Sequence, residues 1–153
     1  MGRSRDARRD QALRPSQPAL VAPHYAKQEQ HALGELYDHR AGRTDLFAGD
    51  SGYFIGYKEI GRTYPGIDYA LMPVTAYRPR WFMHYAHMDV RESLDAFRDL
   101  GARFFVPTQW GTFHLGEEPP GYAALDLKGE IRSQQLDPSK FLVLDIGEFK
   151  EIR

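Results

Sequence analysis

The sequence predicts an α/β fold, and two observations support that prediction. Three apolar runs are bounded by turn-forming residues, a pattern typical of strands covered on both faces: Ile67–Val74, Arg103–Thr108 and Phe141–Ile146. Segments with helical periodicity or helix boundary signals alternate with these runs: Phe54–Tyr64, Asp89–Gly101 and Leu127–Leu136. Buried strands that alternate with helices are typical of a sheet with helices packed on it.

The helix after Asp89 has the clearest boundaries. Asp89 followed three residues later by Glu92 predicts a capping box, in which each side chain accepts from the other residue's backbone N–H. Gly101 is placed as the glycine that ends the helix. The buried stripe is supplied by Leu94, Phe97 and Leu100.

The chain divides into a short arm and one domain. Residues 1–22 hold five arginines and few large apolar side chains, so they cannot bury enough surface to offset the entropy of ordering. We therefore predict a disordered basic arm over residues 1–22 and one domain over residues 23–153. A weak contact of the arm with anionic lipid or nucleic acid is the alternative to a solvated tail. Residues 23–43 are polar, and this segment is predicted to be partly helical.

Composition excludes several classes of protein. The net charge is −1, so no nucleic acid partner is expected. The chain has no cysteine, which excludes disulfides and thiolate metal sites and is compatible with a cytoplasmic location. No apolar run approaches the roughly 20 residues of a membrane span, and no signal-peptide pattern is present at the N-terminus.

A turn with a carboxylate follows the short strand predicted at Thr44–Phe47. Asp50 lies in Gly49-Asp50-Ser51-Gly52, so its side chain is held out at a strand end with room for a ligand beside it. The alternative is a turn aspartate that accepts hydrogen bonds from its own backbone.

An aromatic and basic segment, residues 77–85, is predicted to be a loop, because the prolines at positions 73 and 79 disfavour regular structure across it. Two roles stay open for its aromatic residues: a functional role at the surface, or anchoring of the loop to the body of the domain. Anchoring to the body of the domain is expected first for Trp81 and Phe82.

Four stretches, taken in order, resemble a known family: residues 49–53, 76–83, 87–89 and 109–113. Together they are similar to the C-terminal half of a metallo-β-lactamase-fold hydrolase, in the branch of the N-acyl-phosphatidylethanolamine-hydrolysing phospholipases D and their bacterial relatives. The resemblance runs from about Asp45 to Ile152. It implies that the α/β fold is one half of a metallo-β-lactamase-type αββα sandwich.

The resemblance also implies roles for individual residues. Asp50 matches the carboxylate that bridges the family's two metal ions, and His87 matches a histidine that faces the substrate near them. Gln109 stands where the family has a histidine ligand, and an amide oxygen is a poor substitute for imidazole at zinc. The loop that borders the family's active-site mouth gives three candidate substrate-binding residues: Tyr77, Arg80 and Trp81. Gln30-His31 resembles an upstream metal-binding pair of the family over two residues, and the alternative is a surface histidine.

The family's principal metal-binding cluster, His-x-His-x-Asp-His, occurs nowhere in the sequence. Weak or absent zinc binding is therefore expected, although zinc is the family's cofactor. Two functions stay open. The first is a truncated or degenerate domain that is not catalytic as an isolated chain. The second is the C-terminal half of a zinc-dependent phosphodiester hydrolase, completed by a partner that carries the cluster.

Partner expectations follow from the same resemblance. The three predicted strands are apolar on both sides, while only a short polar segment is available to cover the inner face of the sheet. A second copy or a partner subunit is therefore expected on that face. A peripheral contact with lipid is a further possibility.

Overall fold

A computed structural model describes residues 19–20, 35–39 and 42–151, the first two segments as backbone only. The strands are β1 (Ala19–Leu20), β2 (Glu35–His39), β3 (Arg43–Phe47), β4 (Tyr69–Pro73) and β5 (Phe104–Thr108). The helices are α1 (Gly56–Thr63), α2 (Arg80–Met83), α3 (Val90–Leu100) and α4 (Tyr122–Ser133), followed by a 3₁₀ turn, Pro138–Lys140.

One sheet of five strands, in the order β1-β2-β3-β4-β5, organises the described residues. β1, β2 and β3 pair antiparallel, whereas β3, β4 and β5 pair parallel. Parallel neighbours need a crossover, which α1 supplies between β3 and β4 and α3 supplies between β4 and β5. The predicted α/β class is confirmed.

The two faces of the parallel strands are covered differently. Leu46, Ala70 and Phe105 are in register across the three strands, fully buried, and part of the core that α1 and α3 complete. Phe97 of α3 packs edge-on against Phe105, with the ring centroids 5.5 Å apart. On the opposite face the corresponding row is only half-buried: Phe47, Leu71 and Val106.

α1 and α3 pack closely because α1 carries a glycine at the contact. A Cβ at Gly61 would lie 2.5 Å from the Asp99 carbonyl oxygen, which real Cβ atoms do not tolerate. Gly61 weakens the helical propensity of its segment. The helix predicted at Phe54–Tyr64 is nevertheless present as α1, because Tyr57 and Ile60 bury its inner face.

The capped helix is confirmed as α3. The Asp89 carboxylate accepts from the Glu92 backbone N–H at 2.9 Å, and the Glu92 carboxylate accepts from the Asp89 N–H at 2.9 Å. Gly101 ends the helix in the left-handed conformation, with φ 63°. Leu94, Phe97 and Leu100 are buried as expected.

The prediction of a strand at Phe141–Ile146 is wrong. Only one bridge forms there, Phe105 to Phe141, with the Leu142 N–H donating to the Phe105 carbonyl at 2.8 Å. The backbone groups of alternate residues in a strand point to the same side. Pro107 is therefore the next residue of β5 whose backbone faces residues 141–146, and a proline has no N–H to donate. The chain leaves the sheet edge, and Ile146 is exposed.

Three further predictions are corrected. The loop at residues 77–85 contains the short helix α2, because Pro79 stands at its N-cap, where a missing N–H costs nothing. Trp81 and Phe82 do not anchor that segment, since their exposed fractions are 77% and 63%. The predicted helix at Leu127–Leu136 begins earlier, at Tyr122, where Ala123 and Ala124 are buried.

Within the polar segment 23–43, predicted to be partly helical, the described residues are strands. Glu35–His39 forms β2 and pairs along its whole length with β3, so tertiary pairing overrides local propensity. Gln30 and His31 lie outside the described residues, as does the predicted arm apart from Ala19–Leu20. No helix in the described part of the chain is long and apolar enough to cross a membrane.

Candidate active site

A cavity of about 250 Å³ lies beyond the carboxyl ends of the three parallel strands. Asp50 follows β3, Thr75 and Ala76 follow β4, and Gln109 follows β5 directly. Parallel strands bring their carboxyl ends to one edge, which is where ligands bind in open α/β sheets. The full lining is Asp50, Thr75, Ala76, His87, Gln109, Thr112, Phe113 and Leu115. Three predicted site residues, Asp50, His87 and Gln109, are thus brought together.

Asp50 and His87 form the polar pair of this cavity. The His87 Nδ1 lies 2.8 Å from the Asp50 Oδ1. A carboxylate only accepts hydrogen bonds, so Nδ1 carries the hydrogen and donates it. The other ring nitrogen, Nε2, is then the one left for a ligand in the cavity that His87 lines.

Ser51 and Tyr57 hold the turn that presents Asp50. The Ser51 hydroxyl donates to the Ala48 carbonyl at 2.9 Å, and the Tyr57 hydroxyl lies 2.5 Å from the Ser51 oxygen. Both side chains are buried. Burial raises the pKa of Tyr57 to about 12, with the Ser51 hydrogen bond acting in the opposite direction. Ser51 is therefore a structural residue of the turn.

Glycine at position 52 allows the Asp50 turn to approach the segment that carries His87. A Cβ at Gly52 would lie 3.0 Å from the Tyr85 carbonyl oxygen. This distance is shorter than ordinary contact, so the two backbones pack directly on each other.

Arg80 ties α2 to the beginning of α3. Its Nη2 donates to both carboxylate oxygens of Glu92 at 2.7 Å, and its Nη1 donates to the His87 carbonyl at 3.0 Å. The guanidinium therefore contacts the segment that carries His87.

The three residues predicted to bind substrate do not line the cavity. Tyr77 is buried and its hydroxyl donates to Asp126 at 2.6 Å; burial and that hydrogen bond raise its pKa. Arg80 is engaged as described above, and Trp81 is exposed on α2. Their substrate contacts stay predictions.

Sequence reasoning missed Glu118. The Glu118 side chain is only 3% exposed, and its carboxylate accepts from the Thr75 hydroxyl and from the backbone N–H groups of Tyr77 and Arg78, at 3.1–3.3 Å. These donors flank Ala76, a lining residue held at φ 61°. Three hydrogen bonds to one buried carboxylate fix that strained conformation.

The described residues do not fit a complete zinc centre. Structural and catalytic zinc sites use three or four protein ligands. In the described ranges no group of three or more histidine, cysteine, aspartate or glutamate side chains could hold a metal ion. The cavity offers one carboxylate, already bonded to one imidazole, and the amide of Gln109. We therefore derive no chemical step through a metal.

Comparison with known proteins agrees with this fold. The profile of the family described as "Beta-lactamase superfamily domain" matches residues 13–110. The chain belongs to this family. The match begins well upstream of Asp45, where the resemblance in the sequence begins.

Two curated relatives carry the same name. The chain is 31% identical over 112 residues to "N-acyl-phosphatidylethanolamine-hydrolyzing phospholipase D 1" of Caenorhabditis elegans, covering 71% of this chain and 32% of that protein. It is 36% identical over 87 residues to the mitochondrial enzyme of that name from Saccharomyces cerevisiae, covering 54% of this chain and 18% of that protein. The chain thus spans about a third or less of the length of these relatives.

A solved structure shows the same fold. A metallo hydrolase from the hyperthermophilic archaeon Ignicoccus hospitalis aligns with 92% of this chain and 60% of its own, with a TM-score of 0.50 and 19% identity. The α/β fold of metallo-β-lactamase type is confirmed, and the chain is a hydrolase-like domain of that superfamily.

Proposed function

We propose that the Asp50–His87 site faces a phosphodiester, and that the chain on its own does not hydrolyse one. The observation that carries the first part is the 2.8 Å contact between Nδ1 and Oδ1 inside the cavity. A carboxylate at Nδ1 leaves Nε2 to accept a proton from an attacking water or to orient a phosphate oxygen. The relatives named as phospholipases D support the substrate class.

The second part of the proposal rests on missing ligands. The sequence holds no His-x-His-x-Asp-His cluster, and Gln109 stands at a position where the family has a histidine. A carboxylate with a neutral amide does not lower the pKa of a bound water to near neutrality. The alternative is that a partner polypeptide bearing the cluster completes a zinc-dependent phosphodiester hydrolase, and the placement of Asp50 and His87 on one cavity is compatible with it.

Turnover of a generic phosphodiester by the purified chain, with and without added zinc, tests the proposal. We expect no rate above background for the wild type or for Asp50→Ala. Zinc-stimulated turnover that is lost in Asp50→Ala and retained in the surface control Asp95→Ala would overturn it. Activity that appears only after addition of a polypeptide carrying the histidine cluster would establish the alternative.

We also propose a peripheral contact with lipid through the exposed aromatic residues on and after α2. Trp81, Phe82 and Tyr85 are 77%, 63% and 81% exposed, and Arg78 nearby is exposed as well. Aromatic side chains beside a cation favour the membrane interface. Co-sedimentation with anionic phospholipid vesicles should fall several-fold in Trp81→Ser/Phe82→Ser. The control Phe149→Ser alters an exposed aromatic residue elsewhere, and equal loss in both variants would contradict a localised contact.

A further inference from the structure

We propose that Arg80 is a positioning residue that holds the His87 imidazole against Asp50. Its value for a site that faces a phosphodiester rests on the function proposed above. The orientation of the ring itself is independent of that function and can be measured without any substrate.

The guanidinium of Arg80 is bonded on two sides. Both oxygens of Glu92 accept from Nη2 at 2.7 Å, which is the geometry of a strong charge-assisted pair. The His87 carbonyl accepts from Nη1 at 3.0 Å, and the Asp89 carboxylate lies 3.6 Å from Nε. One side chain thus spans from α2 to the cap of α3 and contacts His87 between them.

These contacts fix the backbone of His87 at both of its polar groups. The His87 N–H donates to the Met83 carbonyl at 2.9 Å, while its C=O accepts from Arg80. Glu92 is itself held, because one of its oxygens also accepts from the Asp89 N–H. The segment between α2 and α3 therefore has little freedom to rotate, and the direction of the His87 side chain is set by it.

The other partner of the imidazole is fixed to the same segment. Gly52 follows the Asp50 turn and packs against the Tyr85 carbonyl, so the Asp50 and His87 backbones are held together. A hydrogen bond of 2.8 Å tolerates only a few tenths of an ångström before it weakens. A shift of residues 84–87 relative to the turn would therefore break the contact between Nδ1 and Oδ1.

Arginine is required for this role, and lysine would not serve it. The planar guanidinium presents five N–H donors in a fixed fork, so it can bond two carboxylate oxygens and a carbonyl simultaneously. An ammonium group at the end of a flexible stem can pair with Glu92 but cannot hold both partners in this geometry. If Arg80 only tied α2 to the start of α3, its loss would lower the free energy of unfolding without moving the His87 imidazole.

The test is the hydrogen-bonding state of the His87 ring, measured by ¹H–¹⁵N correlation on histidine-labelled protein at about pH 8, where imidazoles are ordinarily neutral. We expect the wild type to show a protonated Nδ1 and an unprotonated Nε2, and Asp50→Ala to lose this signature. Arg80→Met and Arg80→Lys should lose it as well, with the ring reverting to a mixture of both forms. Arg91→Met removes a comparable arginine–glutamate pair, to Glu130 at 2.8 Å, and should leave the signature unchanged.

Each variant is first checked for a cooperative melt. Glu92→Gln retains an oxygen for the Asp89 N–H but removes the charge that Arg80 binds, so we expect partial loss of the signature. This variant decides the question if Arg80→Met does not fold. A folded Arg80→Lys or Glu92→Gln with an unchanged His87 signature would overturn the proposal. Zinc-stimulated phosphodiester turnover by the purified chain, together with the expected signatures, would overturn the function proposed above while leaving the role of Arg80 intact.

Discussion

Gln109 stands, by the resemblance, where the family has a histidine ligand. It lines the cavity with Asp50, at φ 61° and one residue beyond β5. Imidazole is a far better zinc ligand than an amide oxygen, so we expect Gln109→His to raise zinc affinity measurably. Activity should not appear, because one ligand of several is returned.

Competition with a chelator gives the affinities for this prediction. Gln135→His is the matched control, because Gln135 also has a positive φ, 53°, but is exposed and outside the cavity lining. Equal zinc affinity of the wild type and Gln109→His would mean that this side chain does not point at the Asp50 carboxylate.

Tyr57 should make the free energy of unfolding depend on alkaline pH. Its pKa is raised from 10 to about 12, so the unfolded chain loses the proton first as the pH increases. The contribution to stability is fully present below pH 10 and is lost as the pH rises from about 10 to about 12. Two pKa units correspond to about 3 kcal/mol, as an order of magnitude.

Urea unfolding of the wild type and Tyr57→Phe across this pH range is the measurement. Tyr57→Phe lacks the titrating hydroxyl and its bond to Ser51, so it should be less stable at about pH 9 by about 1 kcal/mol. That difference should shrink and then reverse as the pH approaches 12, because the wild type loses more than about 1 kcal/mol over this range while Tyr57→Phe does not. The same trend in the exposed control Tyr85→Phe would show that Tyr57 is not its source.

At the scale of elements, the cap of α3 is the feature with the most predictable energy. Asp89→Ala removes the acceptor for the Glu92 N–H and should lower the free energy of unfolding by about 1 kcal/mol. Chemical denaturation of Asp89→Ala and of Asp95→Ala, an exposed aspartate on the same helix, gives the comparison. If Asp89→Ala lowers the free energy of unfolding no more than Asp95→Ala does, Asp89 does not stabilise the helix as an N-cap.

Elements whose signals are local could be predicted from the sequence. α3 was predicted to the residue at both ends, because Asp89, Glu92 and Gly101 act within one turn of the boundary they define. α2 was missed because Pro79 was treated as a breaker although it stands at an N-cap. The strand predicted at Phe141–Ile146 does not form, because Pro107, over thirty residues earlier, has no backbone N–H to donate to it.

The residues of the candidate site also divide into those with a local sequence signal and those without one. Asp50, His87 and Gln109 were found through motifs that each lie within a few adjacent residues. Glu118 was not found, because its partners Tyr77 and Arg78 lie 40–41 residues upstream and no local pattern marks a carboxylate for burial. The positioning role of Arg80 depends likewise on how α2 and α3 meet, which the sequence alone did not reveal.

At the scale of the whole molecule, the half-buried face of the sheet predicts association. Phe47, Leu71 and Val106 form an apolar row on the side away from α1 and α3. At about 25 cal/mol per Å², each 100 Å² of apolar surface left uncovered forfeits about 2.5 kcal/mol, a sizeable share of the net stability of a domain. We expect a dimer, a subunit of a complex or a poorly soluble chain.

Light scattering at micromolar concentration measures this association. Val106→Lys places a charge at the β5 end of the row and should shift the protein toward monomer, whereas the surface control Arg132→Lys should not. A wild type that is a sharp monomer, melts cooperatively and binds no hydrophobic dye would contradict the prediction.

The position of the cavity lining has a consequence for how this scaffold can change over time. Asp50, Thr75 and Gln109 stand within three residues of the ends of β3, β4 and β5, but outside the strands themselves. Asp50 and Gln109 are exposed, so substitutions there change the stability of the fold little, and selection for a stable chain does not act on these two side chains. The same scaffold can therefore gain a histidine at position 109 by a single substitution, without any repacking of the sheet.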